Sequence, residues 1–124
     1  MINFRELRCG NIIRKRDGIF VIDQNNILTI ARNPIPYLPL EISEEILLKV
    51  GFDVAEDSGD SKAFSIKGFD FYVGIDHEDL RFDYVTKSGF YCVFYDDVRL
   101  QHLHQLQNIY FALTGQELNV SQLT

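Results

Sequence analysis

HLHQLQNIYFALTG, residues 102–115, decides the fold class, because a helix here follows a strand-rich chain and makes the protein α+β. At 100° per residue, Leu100, Leu103, Leu106, Ile109, Tyr110, Phe111 and Leu113 cover an arc of about 200°, wider than the stripe of an ordinary surface helix. Residues 100–116 hold no Asp, Glu, Lys or Arg, where the chain's 24% charged content predicts about four. Burial on more than one side explains both features, since a charge is costly to bury and a hydrogen-bonded amide is not. Two placements satisfy this: between the sheet and the N-terminal elements of the same chain, or against another chain. His104, Gln107, Asn108 and Phe111 are the interface candidates on this helix. Gln107 falls inside the apolar arc, so it should be buried with its amide bonded.

Working outward, the preceding segment alternates. Phe69, Phe71, Val73 and Ile75 interleave with Asp70, Tyr72, Gly74 and Asp76, and Leu80, Phe82 and Tyr84 with Arg81 and Asp83. Period two with one polar face predicts an antiparallel meander of four strands, at about 63–67, 69–76, 80–86 and 90–95. The final helix then runs from about 98 to 114 and stops at Gly115. DVAEDSGDSK (53–62) reads as an acidic turn region.

Nearer the N-terminus, NIIRKRDGIFVID (11–23) reads as a hairpin turning at Asp17-Gly18. NILTIA (26–31) reads as a third short strand after the DQNN turn. Pro34, Pro36 and Pro39 exclude helix and predict an extended crossover packed on the core. A short helix over 44–50 has Ser43 as N-cap, Glu44 and Glu45 in its first turn and Gly51 as its stop. The chain thus reads as a single α+β domain, 1–124: N-terminal β-hairpin, short helix, four-strand antiparallel meander and long C-terminal helix.

IPYLPLEISEEILLKVGF (35–52) followed by LHQLQNIYFALTGQEL (103–118) resembles a family of small, functionally uncharacterised proteins of anaerobic gut bacteria and their phages and mobile elements. Its members typically pair a Pro-Leu-Thr/Ser-Glu-Glu-x-Leu-Leu-Lys-x-Gly-Phe segment with a C-terminal His-Gln-Leu-Gln-Asn-Leu-Tyr-Phe-Ala-Leu-Thr-Gly-Glu-Glu-Leu segment. This chain departs by placing Glu41-Ile42 between Leu40 and Ser43, and by Ile109 for Leu and Gln116 for Glu. The resemblance implies a cytosolic accessory protein, phage- or element-borne; it carries no activity to transfer.

The chain has 124 residues and a net charge of −6. That charge is uneven: residues 1–52 hold seven cations and six anions, and residues 53–124 five and twelve. The acidic part would repel a phosphate backbone. Arg14, Lys15 and Arg16 form a local basic cluster that could touch nucleic acid. Cys9 and Cys92, two scattered thiols behind a charged start (Arg5, Glu6, Arg8), predict a cytoplasmic protein. No apolar run is long enough for a membrane span.

No catalytic residues, metal ligands or cofactors are assigned. DHEDLRFD (76–83) gathers carboxylates and His77, but a solvated hairpin turn accounts for them. DVAEDSGDSK fails the calcium-loop pattern at Ala55. His102 and His104, at i and i+2 on a helix, diverge by about 200° and cannot share a metal. Tyr72, Tyr91 and Tyr95 are expected on the second sheet face, with acidic neighbours that suit a protein better than a nucleic acid. The leading expectation is a non-enzymatic interaction protein with a protein partner or self-association. The alternatives are a nucleic-acid-associated regulator acting through Arg14, Lys15 and Arg16, or an acidic decoy for a host DNA-binding protein.

Overall fold

The basic hairpin forms as β1 (Ile12–Lys15) and β2 (Gly18–Val21), which pair antiparallel with Lys15 opposite Gly18. Gly18 therefore belongs to the strand, and not to the Asp17-Gly18 turn expected from sequence. Gly18 opens β2 at φ 142°, a backbone region that a side chain would strain. The computed structural model describes residues 2, 4–16, 18–57, 59, 61–66, 71–76, 80–86, 89–92 and 102–123, with backbone alone at 4, 61, 71, 72, 76, 80–86 and 89–92.

The described chain divides into two compact units, Met1–Ile42 with His102–Thr124, and Ser43–Gln101. In the first unit the proline-bearing stretch is extended, as its prolines dictate, and supplies β3 (Tyr37–Pro39). β3 pairs antiparallel with β1, giving a three-strand sheet in the order β2-β1-β3. Proline is tolerated there because β3 is an edge. A single 3₁₀ turn, Phe4–Glu6, precedes the sheet.

NILTIA is not a strand: residues Ile27–Arg32 form helix α1. The DQNN turn works as a helix start. The Asp23 carboxylate accepts from the amides of Asn25 (2.8 Å) and Asn26 (3.0 Å), and the Asn26 side-chain oxygen accepts from Asp23 N–H (2.9 Å). Ile27 and Ile30 then stand three apart on one helical face, against Ile2, Ile13, Ile22 and Tyr37, while Leu28 is exposed. Leu7 and Phe20 complete this core, with the Phe20 and Tyr37 rings 5.6 Å apart.

The C-terminal helix is α3 (Leu103–Thr114), ended by Gly115 at φ 71°. The helix expected from about 98 begins instead at Leu103, because His102 is extended at φ −120° and ψ 146°; residues 93–101 lie outside those described. His102 precedes the helix in extended conformation, and its N–H donates to the Gln105 side-chain oxygen at 3.0 Å. Leu103 N–H donates to Leu40 O at 2.8 Å, so the start of α3 is held to the end of the β3 strand.

In the second unit α2 (Glu44–Lys49) is capped as its sequence predicts, with Ile46 N–H donating to Ser43 Oγ at 3.2 Å. The meander has five strands: β4 (Asp53–Asp57), β5 (Ser61–Ser65), β6 (Phe71–Asp76), β7 (Leu80–Thr86) and β8 (Gly89–Cys92), in sequential antiparallel order. The extra strand corrects the acidic-turn reading of 53–62. Every β4 side chain is exposed, so the strand carries no apolar alternation to announce it. Its charges suit an edge, where they discourage pairing with foreign strands. A bulge between Val54 and Glu56 disturbs its register further. Phe64 and Val73, paired across β5 and β6, are fully buried. No described helix is long and apolar enough to cross a membrane.

Candidate functional site

Two features of the first unit gather polar chemistry: the seam along α3, and the outer face of the three-strand sheet. The seam begins where β3 ends. β1 runs on past its partner, and the buried amide of Ile12 needs an acceptor. Gln107 Oε1 supplies it at 2.8 Å, while Gln107 Nε2 donates to Gly10 O at 2.9 Å. The side-chain amide thus serves as a one-residue extension of the sheet. Gln107 is 1% exposed, as its place in the apolar arc predicts.

One turn position on, Asn108 Oδ1 accepts from Arg8 Nε (3.1 Å) and Asn11 Nδ2 (2.9 Å), and Asn108 Nδ2 donates to Glu6 O (2.7 Å). Asn11 is fully buried, and its Oδ1 takes the Arg8 amide at 2.6 Å. The Arg8 guanidinium forks onto Glu117 at 2.5 and 3.2 Å and lies 4.6 Å from the centre of the Phe111 ring. Phe111 is 41% exposed.

His104 is 1% exposed and sets Nε2 3.0 Å from Glu6 Oε2. That carboxylate favours the tautomer with the proton on Nε2. Nδ1 is buried with no hydrogen-bond partner among the described residues. The His104 ring stacks on His102, with centroids 5.6 Å apart and planes 13° from parallel. The expected divergence of these histidines is corrected: His102 is the residue before the helix, so the helical wheel does not govern it. Burial first, and then repulsion from His104, hold the His102 imidazole below its ordinary value; Glu6 and Glu41 pull the other way. Among the described residues no three His, Cys, Asp or Glu side chains gather to hold a metal.

The seam accounts for three of the four helix positions offered as interface candidates. His104 and Gln107 are buried and bonded to Glu6, Ile12 and Gly10, and Asn108 uses its amide on Arg8, Asn11 and Glu6. Arg8, Asn11, Glu6 and Glu117 were not singled out by sequence; only the polar residues on α3 signalled that partners must exist.

On the sheet, register puts Arg14 between Ile19 of β2 and Leu38 of β3, with Val21 on the same face. All four are exposed, Ile19 at 44% and Leu38 at 37%. The opposite face carries Ile13, Phe20 and Tyr37 into the core. Lys15 lies on that inner side, 5.3 Å from the Tyr37 ring centre, and Arg16 sits exposed in the turn. The three cations therefore cluster at one hairpin tip but point in different directions.

The tyrosine grouping separates. Pairing of Tyr72 with Asp83, of Asp83 with Cys92, and of Tyr84 with Tyr91 places positions 72 and 91 on opposite faces. Tyr95 and His77 lie outside the described residues. In comparisons with known proteins, no family model, no curated protein and no solved structure matches the chain.

Proposed function

We propose that this chain is a non-enzymatic interaction protein that meets a protein partner on the outer face of its three-strand sheet. The observation that carries the reading is the exposed group Ile19, Val21 and Leu38 around Arg14. Aliphatic anchors around one guanidinium suit a protein surface, where apolar burial and an Arg contact work together. The polar side chains that could do chemistry on α3 are engaged with neighbours in their own fold. A cytoplasmic, element-borne accessory role accords with the family resemblance.

Nucleic acid is the second reading, and exposure of Arg14, Lys15 and Arg16 at one tip favours it. Against it, aliphatic side chains flank Arg14 and supply neither a phosphate contact nor a stacking surface. A photoreactive amino acid at Leu38, used in lysate of the source organism, tests the first reading. We expect one discrete protein adduct that the same group at Leu28, on α1, does not give. No adduct, or the same adducts from both positions, would overturn it.

A further inference from the structure

We propose that the free edge of β2 accepts an extended, acidic segment of a partner protein as a fourth strand. The proposal rests on the reading of this sheet as a protein-binding surface and names how the partner is held. Strand order β2-β1-β3 leaves β2 with no strand on its far side among the described residues. The direction of its backbone groups follows from two hydrogen bonds. Ile22 N–H donates to Asn11 O at 2.9 Å and Ile22 O accepts from Gly10 N–H at 2.7 Å, so 22 pairs through both its groups with residues 10 and 11. Such pairs alternate in an antiparallel ladder. Phe20 and Gly18 therefore turn their amides toward β1, and Ile19 and Val21 turn theirs outward. The Val21 carbonyl is taken by Asn26 Nδ2 at 3.1 Å. Among the described residues, both groups of Ile19 and the Val21 N–H remain to receive a strand.

The two edges of this sheet are built differently. β3 carries Pro39, and β4 in the other sheet carries the carboxylates of Asp53, Glu56 and Asp57; both are ordinary ways to discourage strand pairing. β2 reads GIFV, with no charge, no proline and no bulge. Its outward-facing side chains Ile19 and Val21 are exposed and would sit beside alternate side chains of an added strand. Charge chooses the strand. Arg14, Lys15 and Arg16 stand at the end of the hairpin where β2 begins, all exposed. A segment with apolar residues in its middle and carboxylates where it passes that end matches both features.

The test uses the full chain and the capped peptide EEVTVEE, with KKVTVKK as its charge-reversed counterpart. At saturating EEVTVEE, amide exchange of Ile19 and Val21 should slow by about tenfold or more, while Phe20, already bonded to β1, should change little. Ile19→Pro removes only an outward N–H and should abolish binding. Arg14→Glu with Lys15→Glu should weaken binding by about tenfold or more, and it stands as the second variant if Ile19→Pro does not fold. Unchanged exchange at Ile19, equal binding of KKVTVKK, or displacement of EEVTVEE by a short DNA duplex would overturn strand addition. A specific adduct from Leu38 together with unprotected Ile19 would sink this inference and leave the protein-binding reading standing; no adduct removes that reading itself.

Discussion

Gln107→Leu isolates what the helix amide does. The substitution roughly keeps the volume of the side chain while deleting its donor and acceptor. Ile12 N–H loses its acceptor in a buried setting, and Gly10 O loses its donor in a partly buried one. A buried backbone group left unpaired costs about 1–3 kcal/mol, and the carbonyl, nearer water, costs less. Leucine recovers some of this by apolar transfer, which leaves a net loss of about 2–3 kcal/mol. With a urea dependence of about 1.5 kcal/mol per molar, the midpoint should fall by about 1–2 M. The chain has no tryptophan, so far-ultraviolet circular dichroism follows the transition. Amide exchange reads the same event locally: a loss of about 2 kcal/mol speeds exchange at Ile12 by about thirtyfold. A midpoint change worth less than about 0.5 kcal/mol, with Ile12 still protected, would refute the idea that Gln107 completes the sheet.

The rest of the seam ranks by burial. Asn108→Ala, which strands groups of Arg8, Asn11 and Glu6, should cost about 1–3 kcal/mol in urea, whereas Glu117→Gln, losing a solvent-screened ion pair, should cost under about 1 kcal/mol; the reverse order would sink the ranking. His102 sets a pH dependence. Its folded value lies below 6.5, so between that lowered value and 6.5 the unfolded chain binds more protons, and stability falls as pH drops through this window. His102→Gln should flatten the urea midpoint between about pH 7.5 and 5 relative to the unmodified chain; a contribution from His102 that grows on acidification would contradict the sign.

Where a local signal and a tertiary need agreed, the elements were legible. The hairpin, the cap and stop of α2, the prolines of β3 and the meander each announced themselves by turn chemistry or period two. The misses have particular causes. Residues 27–32 are rich in strand formers, but they follow a turn closed by Asp23 and Asn26, and as a helix they set Ile27 and Ile30 against the core. β4 buries none of its side chains, so hydrophobic periodicity had nothing to report. The tyrosine face failed because it was assembled from alternation in separate strands, while the shared face depends on inter-strand register, which no single strand's pattern contains.

The candidate site was half legible for a chemical reason. Sequence marked the amides of α3 as buried and bonded, but their partners Glu6, Arg8 and Asn11 lie about a hundred positions away. The missing charges follow from what those partners offer. Gln107 meets an N–H at Ile12 and a C=O at Gly10, so it must accept and donate at once. Lysine and arginine only donate, and an ionised carboxylate only accepts. Asn108 faces the same demand, with two donors and one carbonyl converging on it. An amide answers both with no charge to bury. On the exposed flank the chain brings charge in from outside the helix, with Arg8 resting on Phe111 and held by Glu117. The uncharged run of HLHQLQNIYFALTG is therefore accounted for within its own unit by the backbone it completes. Ile19 and Val21, exposed on the sheet face and on the strand that edges the described sheet, answer no such demand from their own backbone.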